Sequence, residues 1–529
     1  MKKPEILLSS VFKPFALDNE YCRPNCRPEG YHNQLTLEQG VFSLRSCATA
    51  LGLHAIANNI DTPTTVLDYP TLKHFKKELQ KGYKIVGLGS MMINYQKLKI
   101  MVQLTREISP HSTIIVGGFC SVIPNIKKDL GVDYVCVGEG ISFMRQLLGL
   151  SPEFRFKNPR GAISHTREFF GVPLNIKRPQ LLIGLGCSYG CDFCSSSHFF
   201  GKQHIQFLTT GEQIYSQIMD SYRKYPESMA SLIGDDNFLL DQERAEQLRQ
   251  CVIENKRNIK LYLFASADRI LKFGVRRFAE MGADIVWIGR ESDLSDYNKN
   301  NHIDFRALVS ELKSYGIKPI ISSILLMDQH TKENIKNDIH DHIACKPVFS
   351  QFLFYTPVMG TPLYDRKMKE GLINRSLAYE DYHGLTPPVI IHPCFSPEEA
   401  GEIQKYAYKK EYLELGPSLV RFIETEYTGW KNLKNDTSPV LRARADSYAS
   451  KMWVNKIFLS AVKHLAPSSQ MVDSARSVLS MIEKDFGPTP LTSKAAARGL
   501  YLSGRLREIR TRFWGDVIQP SSHVFHYNV

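Results

Sequence analysis

Three cysteines, Cys187, Cys191 and Cys194, fall within the stretch "LLIGLGCSYGCDFCSSSHFFG" (181–201) of a 529-residue chain that holds eleven cysteines. Four uses compete for thiols at this spacing. A structural zinc ion wants four ligands, usually as two close pairs, and here the nearest fourth is His198. A disulfide would leave one thiol over. Structural cysteines would sit among apolar neighbours, yet Ser188, Gly190, Asp192 and Ser195 to Ser197 make this loop polar. An iron–sulfur cluster takes thiolates as its usual ligands. With three thiolates on four irons, one iron is left open for a substrate or cofactor.

Such a loop must be carried by a rigid scaffold, and the flanking sequence supplies one. From 181 onward six β-branched stretches recur, at 181–186, 229–236, 260–268, 283–292, 318–327 and 349–357, with helical segments between them. Six βα units predict an incomplete TIM-like barrel, with its chemistry at the carboxyl ends of the strands. The cysteine loop follows the first of these strands.

An earlier βα series occupies residues 1–150. Strands are expected at 5–11, 64–69, 84–90, 112–118 and 133–140, and "EQGVFSLRSCATALGLHAIANN" (38–59) has helical spacing. This predicts a flavodoxin-like, doubly wound parallel sheet, whose ligands sit at the strand ends. Three of those ends are small: Gly89-Ser90, Gly117-Gly118 and Gly138-Glu139-Gly140. Glycine lets a large flat ligand approach the backbone, although tight strand-to-helix turns also use it. Residues 151–180 read as a linker, 181–395 as the barrel and 396–529 as an α-helical domain with helices at about 437–465, 468–486 and 490–512.

The bulk composition, 43% hydrophobic and 23% charged, is that of a globular chain of several domains. Mean hydropathy is −0.24. No apolar run reaches about 20 residues, so no membrane span is expected. "MKKPEILLSSVFKPF" reads as a first strand rather than a secretory leader. Cysteine usage without a leader suggests a cytoplasmic location. The net charge of +12 fits a solvated basic surface or an anionic partner, and nothing points to nucleic acid.

CxxxCxxC after the first strand of a six-unit barrel resembles the signature of the radical S-adenosylmethionine (SAM) superfamily. The resemblance extends through residues 181 to about 365. It implies a [4Fe-4S] cluster on Cys187, Cys191 and Cys194, with SAM on the open iron. "IGDDNF" (233–238) stands where the superfamily has a GGE-like motif that receives the methionine amino group, which maps the role to Gly234, Asp235 and Asp236. Asp235 replaces a glycine of that pattern. "WIGRES" (287–292) is similar to a GxES motif, in which Glu291 binds ribose hydroxyls, with Arg290 where a small or apolar residue is commoner. Ser266 is a second ribose candidate, Phe193 matches an aromatic beside the adenine, and "TPVMGTPLY" (356–364) resembles the sixth-strand turn. The fifth-strand segment "ISSILLMDQHT" (321–331) lacks the family's glycines. Each residue also has a plain alternative: strand-end carboxylates are often helix caps.

A flavodoxin-like domain ahead of such a barrel resembles the cobalamin-binding radical SAM subfamily. That implies a corrin lined by Gly117, Gly118, Gly138, Glu139 and Gly140, with Ser90, Met91 and Met92 on its lower face. "SSVFKPFALDNE" (9–20) lacks the D-x-H-x-x-G of histidine-ligating cobalamin domains, and "DYHG" (381–384) lies elsewhere, so no histidine is expected on cobalt. Flavin mononucleotide is the rival ligand. The implied activity is C-methylation of an unactivated carbon, with an external flavodoxin or ferredoxin as electron donor. A cobalamin-dependent ring contraction, cyclisation or rearrangement is the alternative, and a non-catalytic corrinoid or redox sensor is another. The substrate is expected to be a small molecule, such as a lipid or natural-product intermediate. Phe354, Tyr355, Trp430 and Trp453 are candidate apolar contacts, and the helical C-terminus a candidate cap over the pocket. Cys22 and Cys26 raise a second cluster, against which only two close thiols are present.

Overall fold

The computed structural model describes residues 5–12, 35–159, 163–226, 228, 230–385, 387–514 and 522–528. Cys22 and Cys26 lie outside the described residues, as does most of 9–20.

The chain opens with β1 (Ile6–Ser10), followed by β2 (Arg45–Ala48), which belongs to another sheet. Then come β3 (Thr64–Asp68), β4 (Ile85–Gly89), β5 (Thr113–Gly117) and β6 (Tyr134–Cys136). Strands β3, β1, β4, β5 and β6 pair side by side in that order, all parallel. Taken among themselves they have the order 2-1-3-4-5 of a doubly wound sheet. Helices Leu72–Leu79 and Tyr95–Ile108 make two of the crossovers. Both are amphipathic, and they bury Phe75, Leu79, Leu98, Met101 and Val102 against the strands.

Two parts of the first 180 residues fold otherwise than their local pattern suggests. Residues 38–59 are not one helix. They form a 3-10 segment Leu37–Phe42, strand β2 and helix Leu51–Asn58. Residues 151–180 are not a linker, because β7 (Ile163–Phe169) and β8 (Val172–Leu182) form an antiparallel hairpin there. β2 adds antiparallel to β7. The charge and proline content that hid this hairpin is tolerated because Pro173 and Pro179 sit in a strand pairing whose other partner is short.

After the short antiparallel pair β9 (Gly184–Leu185) and β10 (Ile205–Gln206) come β11 (Ser231–Gly234), β12 (Leu261–Phe264), β13 (Ala283–Glu291), β14 (Lys318–Leu325) and β15 (Phe349–Phe354). β8, β11, β12, β13, β14 and β15 pair in chain order and all parallel; the last five lie where they were expected, whereas the first, expected at 181–186, runs earlier and ends at Leu182. Helices such as Gly211–Lys224 and Gln242–Glu254 pack their apolar faces outside this sheet in the largest core of the molecule.

The C-terminal region is helical from Pro397 to Trp514. The segment expected as one helix over 437–465 is two, Pro439–Ala449 and Met452–Leu465. It also ends in a strand, β16 (His523–Tyr527), which runs antiparallel along the outer edge of β3. The wholly buried His54 explains the docking: its Nδ1 meets Tyr527 Oη at 2.8 Å and its Nε2 meets Asp68 Oδ2 at 2.5 Å. The last strand thus covers an edge that would otherwise present unpaired backbone groups. No helix among the described residues is long and apolar enough to cross a membrane.

Candidate functional site

The carboxyl ends of the two parallel sheets open onto one cavity of ≈ 1080 Å³. A drug-sized ligand needs about 300–1,000 Å³, so this space exceeds the needs of one such molecule. Cys187, Cys191, Phe193 and Cys194 line it from the cysteine loop, as do Asp236, Ser266 and Glu291 from the other strand ends of the second sheet. From the first sheet come Ser90, Met91 and Met92, then Gly117 and Gly118, then Gly138, Glu139 and Gly140. Phe354 and Tyr355 line it too. Gly234 and Asp235 do not, and neither do Trp430, Trp453 or any described residue beyond Gly384. The helical C-terminus therefore does not cap this pocket: Trp430 packs between two apolar cores, and Trp453 faces solvent.

Where the strands end, adjacent members of each motif are sent in opposite directions. Asp236 points in, where its carboxylate accepts the Gly186 N–H at 2.5 Å. Burial raises its pKa, while Ser196 and Gly186 hydrogen bonds oppose the rise. Asp235 points the other way, wholly buried between Arg244 (2.9 Å) and His204 (3.1 Å). Burial alone would raise its pKa, but His204 and Arg244 outweigh it and hold the carboxyl below its ordinary range. Its carboxylate, which also accepts the Asn237 N–H at 3.1 Å, is already committed to three partners, which is why the position cannot serve the cavity.

The same division holds on β13. Glu291 faces the cavity from a left-handed backbone, φ 61°, beside a register shift between Gly289 and Glu291. Such irregularities re-aim a side chain at a strand end. Arg290 faces outward and is buried, paired with Asp338 at 2.8 Å and Asp293 at 2.5 Å. Asp235 and Arg290, the two departures from the resemblance, are thus buried ion pairs on the outer face of the strands.

Glu291 is paired with Lys299, a residue the sequence did not single out. Lys299 rises from a 3-10 turn, Asn298–Asn300, and its ammonium lies 5.9 Å from the Phe193 ring centroid. Burial works against its charge, but Glu291 and the thiols of Cys191 and Cys194 lift its pKa above the lysine range. Only spatial neighbours reveal it, since nothing in "DYNKNN" (296–301) marks a functional lysine.

The cysteine loop is held on several sides. Ser197 Oγ donates to the Cys187 carbonyl at 2.6 Å. His198 Nε2 lies 3.1 Å from the Cys191 carbonyl, so this histidine is occupied as a loop brace rather than as a fourth ligand. Asp192 accepts from Tyr297 Oη at 2.6 Å, Tyr355 Oη at 3.1 Å and Arg366 at 3.1 Å. Its carbonyl accepts the Leu363 N–H at 3.1 Å, which ties the loop to the "TPVMGTPLY" turn. Asn237 and Ser266 bond each other twice at 3.1 Å beneath it. Burial pushes the Cys191 thiol up to about 11, and raises Cys187 and Cys194 as well.

These residues can be tested against the groups they are expected to hold. Among the described residues no three His, Cys, Asp or Glu side chains gather around a single-ion site. Three thiols lining one cavity suit a cluster, whose thiolates bind different irons. At the first sheet, Gly118 (φ +78°) passes so close to Ser90 that a Cβ would fall 2.6 Å from the Ser90 carbonyl oxygen, and no side chain intrudes from there into the cavity. Glu139 lines the space but spends its carboxylate as a helix cap, accepting from Ile141 (2.5 Å) and Ser142 (2.8 Å). Met92 is buried against the first sheet's core, whereas Met91 is exposed.

His383 is the second residue that spacing did not reveal. It lines the cavity, its Nδ1 accepts the Leu385 N–H at 3.1 Å, and its Nε2 has no hydrogen-bond partner among the described residues. The neutral ring therefore presents an N–H donor. Burial pushes its pKa down to about 4. A folded-state value below the unfolded one means the unfolded chain binds the extra proton first, so stability falls as pH drops from about 6.5 toward 4. His383→Asn is expected to flatten that fall by roughly 3 kcal/mol or less. Urea midpoints measured across this range check it. An unchanged pH slope would mean that the imidazole is not buried as described.

No family model matches the chain. An "Uncharacterized methyltransferase PH0819" from Pyrococcus horikoshii is 22% identical over 375 residues, spanning 62% of this chain and 78% of the relative. Among solved structures, the radical S-adenosylmethionine methyltransferase TsrM from Kitasatospora setae, with cobalamin and a [4Fe-4S] cluster bound, matches at TM-score 0.50 and 15% identity, covering 92% of this chain and 99% of TsrM. TsrM with tryptophan substrate and a SAM analogue matches at TM-score 0.50 and 14% identity, over 96% of this chain and 100% of TsrM. The chain is thus similar to TsrM in fold along nearly its whole length.

Proposed function

We propose that this chain is a cobalamin-dependent radical SAM methylase acting on a carbon of a small molecule. The observation that carries the reading is that the three thiols and the small strand ends of the other sheet face one cavity. The fold-level likeness to TsrM, itself solved with cobalamin, a [4Fe-4S] cluster and a SAM analogue, supports it.

In this reading Cys187, Cys191 and Cys194 hold the cluster, and the strand ends at Ser90, Gly117 and Gly138 receive the cobalamin. Bound there, the cluster supplies the electron that cleaves SAM, and the cobalamin supplies the methyl group. The chain's own part is to bind, orient and exclude water. Asp236 accepts from the ammonium of SAM, which offsets the burial of its carboxylate. Glu291 and Ser266 face the ribose hydroxyls, with Lys299 balancing the Glu291 charge. Phe354 and Tyr355 border the substrate, and the His383 N–H offers it one donor. An external flavodoxin or ferredoxin provides electrons.

Anaerobic incubation of the reconstituted protein with SAM, reductant and methylcobalamin tests this. Formation of 5′-deoxyadenosine and S-adenosylhomocysteine is expected. Absence of both at full cluster loading would overturn the reading, and deoxyadenosine alone would favour rearrangement over methylation.

Asp236 and Asp235 make a separate test. Losing a charge-assisted hydrogen bond costs about 1.5–3 kcal/mol, so Asp236→Asn is expected to weaken SAM binding roughly 10- to 100-fold. Asp235→Asn should lower the unfolding midpoint and leave SAM affinity nearly unchanged. Calorimetric titration of SAM into both variants checks the pair, and equal losses of affinity would sink the assignment.

A further inference from the structure

The last helix, Leu491–Trp514, presents an apolar stripe that no described element covers. Leu491, Leu502, Leu506 and Ile509 are 82%, 59%, 67% and 52% exposed. At 100° per residue they fall within one sector of roughly 60° that runs about 27 Å along the helix. The opposite face is fully used: Ser493, Ala497, Gly504 and Arg507 are buried, and a Cβ on Gly504 would sit 3.1 Å from Leu465. The stripe is therefore not a core face left open by a loose fit.

Its borders carry charge of one sign. Lys494, Arg498, Arg505 and Arg512 flank it on one side and Arg510 on the other, and all five are exposed. Glu508 is the one acid of the helix, and it pairs with Arg505 at 2.7 Å. A narrow apolar stripe edged by arginine and lysine suits the boundary between lipid headgroups and acyl chains. Isolated exposed leucines need no explanation, but three large apolar side chains on successive turns, Leu502, Leu506 and Ile509, do. A protein partner would need acidic borders around an apolar groove, whereas an anionic bilayer offers both features along the full length of the stripe.

We propose that this helix docks the protein onto the surface of an anionic lipid bilayer, lying in the plane of the headgroups. Leu502, Leu506 and Ile509 enter the acyl boundary, and the flanking cations meet lipid phosphates. No residue of this helix lines the cavity, so the docking is independent of the chemistry proposed there.

Sedimentation of the full chain with vesicles tests it. Vesicles of phosphatidylcholine with about one quarter phosphatidylglycerol should carry the protein down, and pure phosphatidylcholine should not. Binding should weaken as salt is raised. Leu502→Glu with Leu506→Glu should reduce the bound fraction roughly tenfold or more. Both side chains are exposed, so the unfolding midpoint should be unchanged. No sedimentation with anionic vesicles would overturn the proposal, as would sedimentation that the double variant leaves intact. So would a concentration-dependent dimer in light scattering that the same substitutions dissolve, since the stripe would then be a contact between copies.

Discussion

Cys191→Ala is expected to abolish the iron–sulfur absorbance and paramagnetic signals of the reconstituted protein, and to reduce SAM cleavage to background. Cys187, Cys191 and Cys194 line the same cavity, and His198, the nearest replacement ligand, is turned to the Cys191 carbonyl. Nothing in the loop can substitute for a lost thiolate. The effect should be specific to loading, because the thiol is only partly buried. Removing it from the unloaded protein should shift stability by about 1 kcal/mol or less. Iron content, absorbance and unfolding midpoint, measured side by side, decide the matter. A variant that retains a full cluster would remove Cys191 from the ligand set. One that unfolds would make the loop structural.

Asp284→Ala should have the largest effect on the fold, and it lies at the other end of the second sheet. Asp284 is the second residue of β13 and Lys318 the first of β14, so both sit at the amino ends of their strands, away from the cavity. Asp284 accepts from Lys318 at 2.8 Å and from Tyr448 Oη at 3.1 Å, and pairs with Arg444 at 3.4 Å. Lys318 also reaches Glu426 at 3.3 Å. All of these groups are buried. Removing the carboxylate leaves buried Arg444 without its carboxylate and Lys318 with Glu426 alone, which costs about 3–5 kcal/mol, against a total domain stability of about 5–15 kcal/mol. Burial alone would raise the Asp284 pKa, but Lys318 and Lys260 outweigh it and hold it well below the ordinary carboxylate range. With the folded value depressed, the contribution is complete at neutral pH and is lost only as pH falls below about 4. Lys260 is the counterpart: burial pushes its pKa down to about 7, with Asp284 opposing that shift. Equilibrium unfolding at pH 7 should show the full loss for Asp284→Ala and a smaller one for Asp284→Asn, which keeps hydrogen-bond acceptance. A loss below about 1 kcal/mol would show that the network is not the closed, buried unit described.

The helical C-terminus takes its place from the same network. Glu426, Arg444 and Tyr448 come from helices Ser418–Leu433 and Pro439–Ala449, and they close the amino ends of the β strands. A cap over the pocket was a reasonable expectation from order along the chain. The buried charges at Asp284 and Lys318 draw these helices to the opposite end.

Much of the site was legible because it is local. Cys187, Cys191 and Cys194 occupy eight consecutive residues, so their shared position follows from the loop itself. The strand ends at Gly117-Gly118 and Gly138 could be read because alternating strand and helix patterns imply parallel crossovers, and parallel strands bring their carboxyl ends to one edge. Lys299 and His383 were not legible as site residues. Each acquires its role from neighbours distant in sequence, Lys299 from the cysteine loop and His383 from an otherwise apolar wall.

By itself, then, the sequence determined the two βα series, the cysteine loop and the small strand ends, all set by periodicity and spacing within a few tens of residues. The tertiary structure decided which of two adjacent residues faces the cavity. Asp236 and Glu291 point in while Asp235 and Arg290 are buried in ion pairs outside, because the face a strand end shows depends on its register with neighbouring strands. It also decided that β2 joins the second sheet and that β16 returns to the first. Those pairings span more than a hundred and more than four hundred residues of chain, and backbone hydrogen bonds leave no mark in the sequence of which distant edge will accept them.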